Sequence, residues 1–242
     1  IEEDFAKGIA RYGKPAGVIA SLIPMTNPEL TPIVTAVYAL KARDTVIFSP
    51  HPRTVKTTNL CVEAMRAGLR AIGEPEDFLL CRSNPNRGQV NEFRPRADLV
   101  MATGGAAMVK AAYSSGKPAY GVGAGNATLI YDETTNVEEA ARNTRMSKTS
   151  DFGSGCSADG NLLLHDSIYE AMLVQLEKEG GYLASDEERA QLEKAMWNDH
   201  GGRTMDTIAI AATQLAEKAG ISIPNDRKFI VVKGTGIGKE HK

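Results

Sequence analysis

The sequence predicts an α/β protein with a parallel sheet covered by helices on both faces, followed by part of a second α/β lobe. Short apolar runs of strand length alternate with longer stretches of helical periodicity, which is the pattern of βαβ units. Loops rich in Gly and Pro follow several of these runs. Hydrophobic residues make up 42% and charged residues 24% of the 242-residue chain, as in ordinary globular proteins, and this length allows one large domain or two small ones.

Apolar runs and helical periodicity define the elements of the first lobe. Strands are predicted over 17–23, 45–48, 78–81, 98–102, 118–122 and 127–131. Helices are predicted over 29–41, 54–71, a stretch that ends at 113, and about 136–148. The first helix carries Leu30, Ile33, Val34 and Val37 on one side, which is typical of an amphipathic helix that turns this side to the core. The polar residues 1–15 carry little signal.

The alternation continues more loosely in a second lobe. Strands are predicted over 161–165 and 229–232, and helices over 167–179, 186–197 and 213–219. We place the boundary between the lobes at 149/150, so that the domains are 1–149 and 150–242. The chain starts without Met and ends abruptly, and we expect it to be a piece of a longer protein in which both domains are incomplete.

Charge, apolar runs and cysteine usage exclude several classes of function. Lys and Arg number 28 against 30 Asp and Glu, so the sequence has no electrostatic footprint for nucleic acid. No apolar run approaches the roughly 20 residues that span a bilayer, and the acidic start lacks the features of a signal peptide. Three cysteines without zinc-site spacing indicate a reducing compartment, and we expect a cytoplasmic protein with no metal site.

A glycine-rich stretch around Cys156 is the strongest candidate for chemistry. Residues 148–161 read KTSDFGSGCSADGN, so that Cys156 lies among small and flexible residues. Gly153 and Gly155 tolerate backbone angles that other residues avoid, and such a loop gives a substrate access to the thiolate. The alternative is a structural cysteine in a glycine turn, because free cysteines often act as small hydrophobes.

Four other loops follow predicted strands, and in parallel sheets ligands bind beyond the carboxyl ends of the strands. Asn27 in PMTNP has a side-chain amide that can donate an N–H to a ligand; the alternative is an ordinary turn residue before Pro. SPHPR offers Ser49, His51 and Arg53, or is a solvated loop. Thr103-Gly104-Gly105 presents helix-start amides to a phosphate or a nicotinamide ring, or is an ordinary helix start. GVGAGN, with Gly123 at its centre, is a weak cofactor signal or a tight turn between strands.

The order of these pieces is more specific than any single one. The phrases are TNP, FSPHPR, ATGG, MVKAAYSSGKPAYGVGAGN and MSKTSDFGSGC. In this order they resemble the aldehyde dehydrogenase superfamily, and more narrowly its CoA-acylating branch, such as the aldehyde dehydrogenase part of bifunctional aldehyde-alcohol dehydrogenases. The resemblance runs from about Gly17 to Val232 and covers about half of a typical member. It implies a Rossmann-like dinucleotide-binding domain followed by a catalytic domain.

The resemblance also implies roles for single residues. Cys156 matches the thiol nucleophile, and Asn27 matches the side-chain donor of the oxyanion hole, whose second donor would be the backbone N–H of Cys156. The segment Thr103, Gly104 and Gly105 lies where the family holds the pyrophosphate and nicotinamide end of the cofactor. Ser49 and His51 lie where it contacts the adenosine ribose, and Gly123 belongs to the cofactor-binding set.

The acyl acceptor is implied by a missing carboxylate. Hydrolytic members carry a glutamate in a Glu-Leu-Gly-Gly-Lys motif that activates water, whereas the matching region 121–126 reads GVGAGN. The resemblance therefore implies oxidation of a short-chain aldehyde to acyl-CoA through a cysteine thioester. The alternatives are a hydrolytic aldehyde dehydrogenase and a non-catalytic relative or truncated fragment. The small Ser154 and Gly155 before the cysteine replace bulkier residues of many relatives, which leaves the preferred aldehyde open.

The cofactor and partners follow from the same resemblance. NAD or NADP is expected, with coenzyme A as co-substrate. SPHPR supplies no acidic residue for a ribose 2′-OH, and Arg53 could accept a 2′-phosphate, but relatives with the same SPHPR are commonly NAD-linked, which favours NAD. A small aldehyde and CoA are the expected partners, with neither nucleic acid nor membrane, and we expect a homo-oligomer.

Overall fold

The computed structural model describes residues 2–85, 88, 92–123, 125–234 and 236 of the chain. They divide into two compact units, Ile1–Ala124 and Gly125–Lys242. The predicted boundary at 149/150 falls later, because strand 127–131 and helix 137–149 pack within the second unit. The assignment of cofactor binding and catalysis to domains 1–149 and 150–242 stays a prediction. Among the described residues, no helix combines the length and apolar composition that a membrane span requires.

The first unit contains a five-stranded parallel sheet. Its elements in chain order are β1 (Glu2–Asp4), β2 (Ile9–Arg11), β3 (Val18–Leu22), α1 (Leu30–Lys41), β4 (Thr45–Ser49), α2 (Val55–Ala71), β5 (Leu79–Cys81), β6 (Leu99–Thr103), α3 (Ala106–Tyr113) and β7 (Ala119–Val122). The sheet has the order β5-β4-β3-β6-β7, and every neighbouring pair is parallel. The chain winds in one direction from β3 to β5 and in the other through β6 and β7. The separate pair β1 and β2 is antiparallel.

Helices cover both faces of this sheet, as the sequence predicted. Side chains on one face pack against α1 and α2, and this cluster consists of Ile19, Ile23, Ala36, Ala39, Val46, Phe48, Val62 and Leu79. Side chains on the other face pack against α3, and this cluster consists of Ala20, Leu22, Ala97, Val100, Ala102 and Ala112. Strands buried on both faces explain why β3 and β4 are nearly continuous apolar runs rather than alternating ones.

The buried face of α1 differs from the predicted one. The helix buries Pro32, Thr35, Ala36 and Ala39, whereas the large apolar residues of the predicted face are 39% to 59% exposed. These exposed residues are Leu30, Ile33, Val34 and Val37. The prediction was wrong because hydrophobic periodicity gives weight to large side chains, whereas the small side chains of Ala36 and Ala39 let the helix lie close to the sheet.

The second unit has a looser α/β architecture. Its elements are β8 (Ala127–Tyr131), α4 (Val137–Thr149), β9 (Asp159–Leu164), α5 (Tyr169–Lys178), β10 (Gly181–Leu183), α6 (Asp186–Met196), α7 (Ala212–Ala219) and β11 (Phe229–Val231). Strands β8 and β9 form one parallel pair, and β10 and β11 form another. One core lies between α4, α5 and β11 and includes Ala141, Met172 and Phe229. A second core packs α6 against α7 around Leu192 and Ala216.

Candidate active site

Four predicted cofactor and oxyanion segments of the first unit lie at one edge of its sheet. Asn27 follows β3, Ser49 ends β4 with His51 just beyond it, Thr103 ends β6, and Gly123 follows β7. All of these strands are parallel, so their carboxyl ends share this edge. The chain reverses its winding direction between β3 and β6, which is where open α/β sheets form a ligand crevice.

The loop that carries Asn27 is held by α2. Thr58 Oγ1 donates a hydrogen bond to the carbonyl of Pro28 at 2.9 Å, and Cys61 Sγ donates to the carbonyl of Glu29 at 3.4 Å. Asn27 itself is half-buried, and its side-chain amide makes no hydrogen bond to a described residue. A fixed loop with an uncommitted amide is suited to donating to a ligand atom.

The segment from Thr103 to Gly105 connects β6 to α3 at the same edge. Thr103 pairs with Val122, and the Gly104 N–H donates to the carbonyl of Val122 at 3.0 Å, so the Gly104 amide is not available to a phosphate. Gly105 precedes α3 in an extended conformation, and no side chain caps the helix. The Met108 N–H donates to the Gly105 carbonyl at 2.9 Å, which leaves the amides of Ala106 and Ala107 without a side-chain acceptor at the start of α3, and this suits an anionic group of a cofactor.

Close packing explains two of the glycines near this edge. A Cβ on Gly104 would lie 2.9 Å from Met108 Sδ, and a Cβ on Gly121 would lie 2.6 Å from Val109 Cγ1 and 2.7 Å from Tyr113 Cε2. The Gly121 N–H also donates to the Tyr113 hydroxyl at 3.0 Å. Part of the GVGAGN pattern is thus explained by packing of β7 on α3. Gly123 is exposed, and a Cβ there would meet only Val109 Cγ2 at 3.9 Å.

Ser49 and His51 have different surroundings. Ser49 is 3% exposed, and its hydroxyl accepts a hydrogen bond from Arg82 Nη1 at 3.4 Å. His51 Nδ1 accepts from the Arg53 N–H at 3.2 Å. Burial, and then the charge of Arg53, lower the pKa of His51, so the ring is neutral at pH 7 with its proton on Nε2. His51 can therefore donate to a ribose hydroxyl, whereas the predicted ribose contact of Ser49 would need a change at Arg82.

Cys156 lies in the connection between α4 and β9 and is exposed. The connection begins with a left-handed turn, because φ is +46° at Asp151, +52° at Phe152 and +69° at Gly153. Each non-glycine residue in this region costs about 1–2 kcal/mol, and such strain concentrates at functional sites. The Ala158 N–H then donates to the Gly155 carbonyl at 3.0 Å, which closes a second turn with Cys156 inside it.

The two ends of this connection are fixed. At its start, Thr149 Oγ1 donates to the Arg145 carbonyl at 2.8 Å. At its end, the Asp159 N–H donates to Ser147 Oγ at 3.0 Å, which joins β9 to α4. We call the segment 150–158 between these ends the cysteine turn. The cysteine turn is a short segment with fixed ends that exposes the thiol of Cys156.

The other two thiols have surroundings that disfavour the thiolate. Burial raises the pKa of Cys81 to about 11. Burial, and then the nearby Glu29 carboxylate, raise the pKa of Cys61, whose Sγ donates to the Glu29 carbonyl. Because the thiolate is the nucleophilic form, the structure favours the exposed Cys156 over both.

Sequence reasoning missed two cations, Lys148 beside the cysteine turn and Arg203 near Lys148. The side chain of Lys148 runs along Gly153, with its Cδ and Cε 3.5 Å from where a Cβ on Gly153 would lie. Arg203 lies close enough for its charge to lower the pKa of Lys148. Arg203 is distant in sequence and lies in no motif, so only the fold of the second unit brings it to Lys148.

Asn27 and Cys156 belong to different compact units, and their predicted cooperation in an oxyanion hole stays a prediction. The same holds for the predicted cofactor contacts of Thr103, Gly104, Gly105 and Gly123. Within the first unit the structure brings the predicted cofactor segments to one sheet edge. Within the second it presents an exposed thiol in a strained turn. A parallel sheet that winds in both directions and a separate exposed cysteine are the elements of the predicted class, an oxidoreductase with a thiol nucleophile, and the nucleophilic role of Cys156 stays a prediction.

Comparison with known proteins agrees with this class. Residues 5–192 match the model of the aldehyde dehydrogenase family, and the chain belongs to this family. It is 41% identical over 238 residues to a sulfoacetaldehyde dehydrogenase of Acholeplasma sp, covering 97% of this chain and 49% of that protein. It is 35% identical over 240 residues to the succinate-semialdehyde dehydrogenase (acetylating) of Clostridium kluyveri, covering 99% of this chain and 53% of that protein.

A solved structure shares the fold. The Rhodopseudomonas palustris propionaldehyde dehydrogenase with bound propionyl-CoA superposes with a TM-score of 0.82 at 32% identity, over 90% of this chain and 49% of that one. The chain thus spans about half the length of these three proteins. The comparisons confirm the predicted family and the predicted α/β fold.

Proposed function

We propose that this chain supplies the cofactor edge and the nucleophile of a CoA-acylating, NAD(P)-dependent aldehyde dehydrogenase. The observation that carries the proposal is that no carboxylate occurs in 121–126, the segment that matches the water-activating motif of hydrolytic relatives. Val122, the position that best matches their glutamate, is apolar, and Asn126, the last residue of GVGAGN, lies with its side-chain amide against Gly160 at the start of β9. An acyl group on Cys156 would therefore need another acceptor.

The chemical steps use few residues. The Cys156 thiolate adds to the aldehyde carbonyl carbon and forms a C–S bond. The oxygen gains the negative charge, which the Asn27 amide and the Cys156 N–H would stabilise by about 3 kcal/mol per donor. When bound, NAD(P) supplies the acceptor for the hydride that leaves this carbon. The thiolate of CoA then attacks the resulting thioester, and Cys156 leaves as a thiolate.

Described residues fit the cofactor. The uncapped start of α3 would hold the diphosphate, and the neutral His51 would donate from Nε2 to the adenosine ribose. A thiol acceptor needs less help than water, because a few per cent of it is thiolate at neutral pH. General-base help is typically worth 10²–10⁴-fold, so hydrolysis without it should be slower by about that factor.

Transient kinetics tests the proposal. We expect one burst of NADH per active site when the aldehyde is added without CoA, and steady turnover after CoA is added. Cys156→Ala should remove the burst, whereas Cys81→Ala should keep it, since burial holds that thiol protonated. Steady acid production without CoA would overturn the acylating assignment and would favour a hydrolytic enzyme.

Three further features belong to the proposal. We propose a preference for NAD over NADP, a homo-oligomeric state and a cytoplasmic location. Titration with both cofactors, light scattering and fractionation test them separately. A stronger burst with NADP would point to Arg53 as a partner of the 2′-phosphate.

A further inference from the structure

The side chain of Lys148 is directed along the cysteine turn. Lys148 lies in the last turn of α4. Its Cδ and Cε both lie 3.5 Å from the place of a Cβ on Gly153, three positions before Cys156. A glycine at this position, with φ of +69°, allows the lysine stem to lie against the backbone. The ammonium group is therefore held next to the segment that carries the nucleophile.

Arg203 is fixed by an aromatic ring and a carbonyl. Its guanidinium carbon lies 4.9 Å from the centroid of the Trp197 ring, and Nη2 donates to the Thr207 carbonyl at 3.1 Å. Trp197 and Arg203 also form an antiparallel backbone bridge, so the ring and the cation are held by the same short segment. The planar guanidinium keeps further N–H donors for a planar or tetrahedral oxyanion.

The charges of these two side chains are not balanced nearby. Neither Lys148 nor Arg203 forms an ion pair with a carboxylate in the part of the chain that the structure describes. Burial, and then the charge of Arg203, lower the pKa of Lys148, while Asp159 acts in the opposite direction without cancelling the effect. Burial also lowers the pKa of Arg203. Two partly buried cations held close together are costly unless an anion binds them.

We propose that Lys148 and Arg203 form a binding site for the anionic end of the aldehyde substrate, a sulfonate or a carboxylate, beside Cys156. This inference rests on the proposed function. It agrees with the names of two relatives, which act on sulfoacetaldehyde and on succinate semialdehyde, because both aldehydes carry an anion one or two carbons from the carbonyl. Such a short spacing requires a cation close to the nucleophile, and the stem of Lys148 lies along Gly153, three positions before Cys156.

A binding experiment tests the site without catalysis. The chain has one tryptophan, Trp197, so its fluorescence reports on the stacked Arg203. We expect 2-hydroxyethanesulfonate, the alcohol that corresponds to sulfoacetaldehyde, to give a saturable change that ethanol at the same ionic strength does not. Lys148→Met keeps the apolar stem and should weaken this binding about 10- to 100-fold, as expected when a charged hydrogen-bond partner is lost.

Matched variants make the result specific. Lys178→Met removes an exposed lysine from the last turn of α5, as Lys148→Met does from α4, and should leave binding unchanged. Lys148→Arg keeps the charge and should retain most of the affinity, which also separates loss of charge from loss of folding. No saturable change in the wild-type protein, or equal affinity in wild type and Lys148→Met, would overturn the proposal. The fluorescence change does not depend on acyl transfer. The binding experiment can therefore fail while the burst experiment succeeds, and the burst experiment can fail while the binding experiment succeeds.

Kinetics then identifies the source of the anion. In the active protein, the ratio of kcat/KM for sulfoacetaldehyde to kcat/KM for propionaldehyde should fall about 10- to 100-fold in Lys148→Met. The KM for CoA should be the same in wild type and variant. If the KM for CoA rises and the ratio of the two aldehydes stays constant, the site binds the phosphates of CoA, and the assignment to the aldehyde is overturned.

Discussion

A substitution at Gly160 tests whether Asn126, the last residue of the segment 121–126, supports the cysteine turn. A Cβ on Gly160 would overlap Asn126 Oδ1, and it would lie 2.7 Å from Asn126 Cγ and 3.0 Å from the Ala127 carbonyl. Gly160 is the second residue of β9, directly after the Asp159 N–H that bonds to Ser147. Gly160→Ala therefore forces either the Asn126 side chain or the start of β9 to move.

The expected cost follows from this packing. Overpacking of this kind costs about 1–3 kcal/mol of unfolding free energy. Asn126→Ala removes the overlapping atoms and leaves only the contact with the Ala127 carbonyl, which can relax by a few tenths of an ångström. We therefore expect the double variant to be more stable than the sum of the two single effects implies, with a coupling of about 0.5–3 kcal/mol.

Two assays measure the coupling between the two substitutions. Chemical denaturation of wild type, both single variants and the double variant gives the coupling free energy. The rate at which iodoacetamide alkylates Cys156 reports on the turn, and we expect Gly160→Ala to change this rate and the double variant to bring it back. Additive stabilities together with an unchanged alkylation rate would refute the idea that Asn126 supports the start of β9.

Three other predictions concern the acyl transfer and the cations. Asn27→Ala should lower kcat by roughly 10²–10³ with little change in NAD affinity, and an unchanged kcat in steady-state assays would leave Asn27 as a turn residue only. Val122→Glu, at the position that best matches the hydrolytic motif, should raise CoA-independent acid production, measured by NADH formation without CoA. Lys148→Met should raise the thermal midpoint near pH 7, because the unfolded chain binds the lysine proton more tightly than the folded chain does. Since the pKa of Lys148 in the folded state is lowered from 10.5, calorimetry should show that this gain in midpoint shrinks as the pH approaches 10.5. A lower midpoint for the variant than for the wild type at pH 7 would contradict this prediction.

The sequence predicted the sheet well because its central strands β3 and β4 are buried on both faces. The continuous apolar runs of β3 and β6 and the breaker loops after them are local signals, and the observed strands agree with the predictions to within one or two residues. Three short strands, β1, β2 and β10, gave no such signal, since their sequences EED, IAR and GYL contain no continuous apolar run. The inward face of α1 depended on contacts with the sheet, and periodicity alone selected the wrong side.

The site divides in a similar way. The glycines around Cys156 predicted an accessible turn, and the loops that follow strands were predicted to share one sheet edge, whereas their roles in catalysis and cofactor binding stay predictions. The left-handed conformation of Phe152 could not be predicted, since a bulky aromatic residue rarely adopts a positive φ. The pair of Lys148 and Arg203 could not either, because its members are brought together by the fold of the second unit and share no motif.

The central claim is that Cys156 carries an acyl group that it exchanges with coenzyme A. Peptide mass spectrometry of the protein, incubated with acetyl-CoA in the absence of NAD and then quenched in acid, tests this most directly. We predict one hydroxylamine-sensitive acetyl group on the peptide that contains Cys156, none on the peptides with Cys61 and Cys81, and none in Cys156→Ala. An acetyl group on another residue, or an unmodified Cys156 in a preparation that turns over aldehyde and CoA, would contradict the claim.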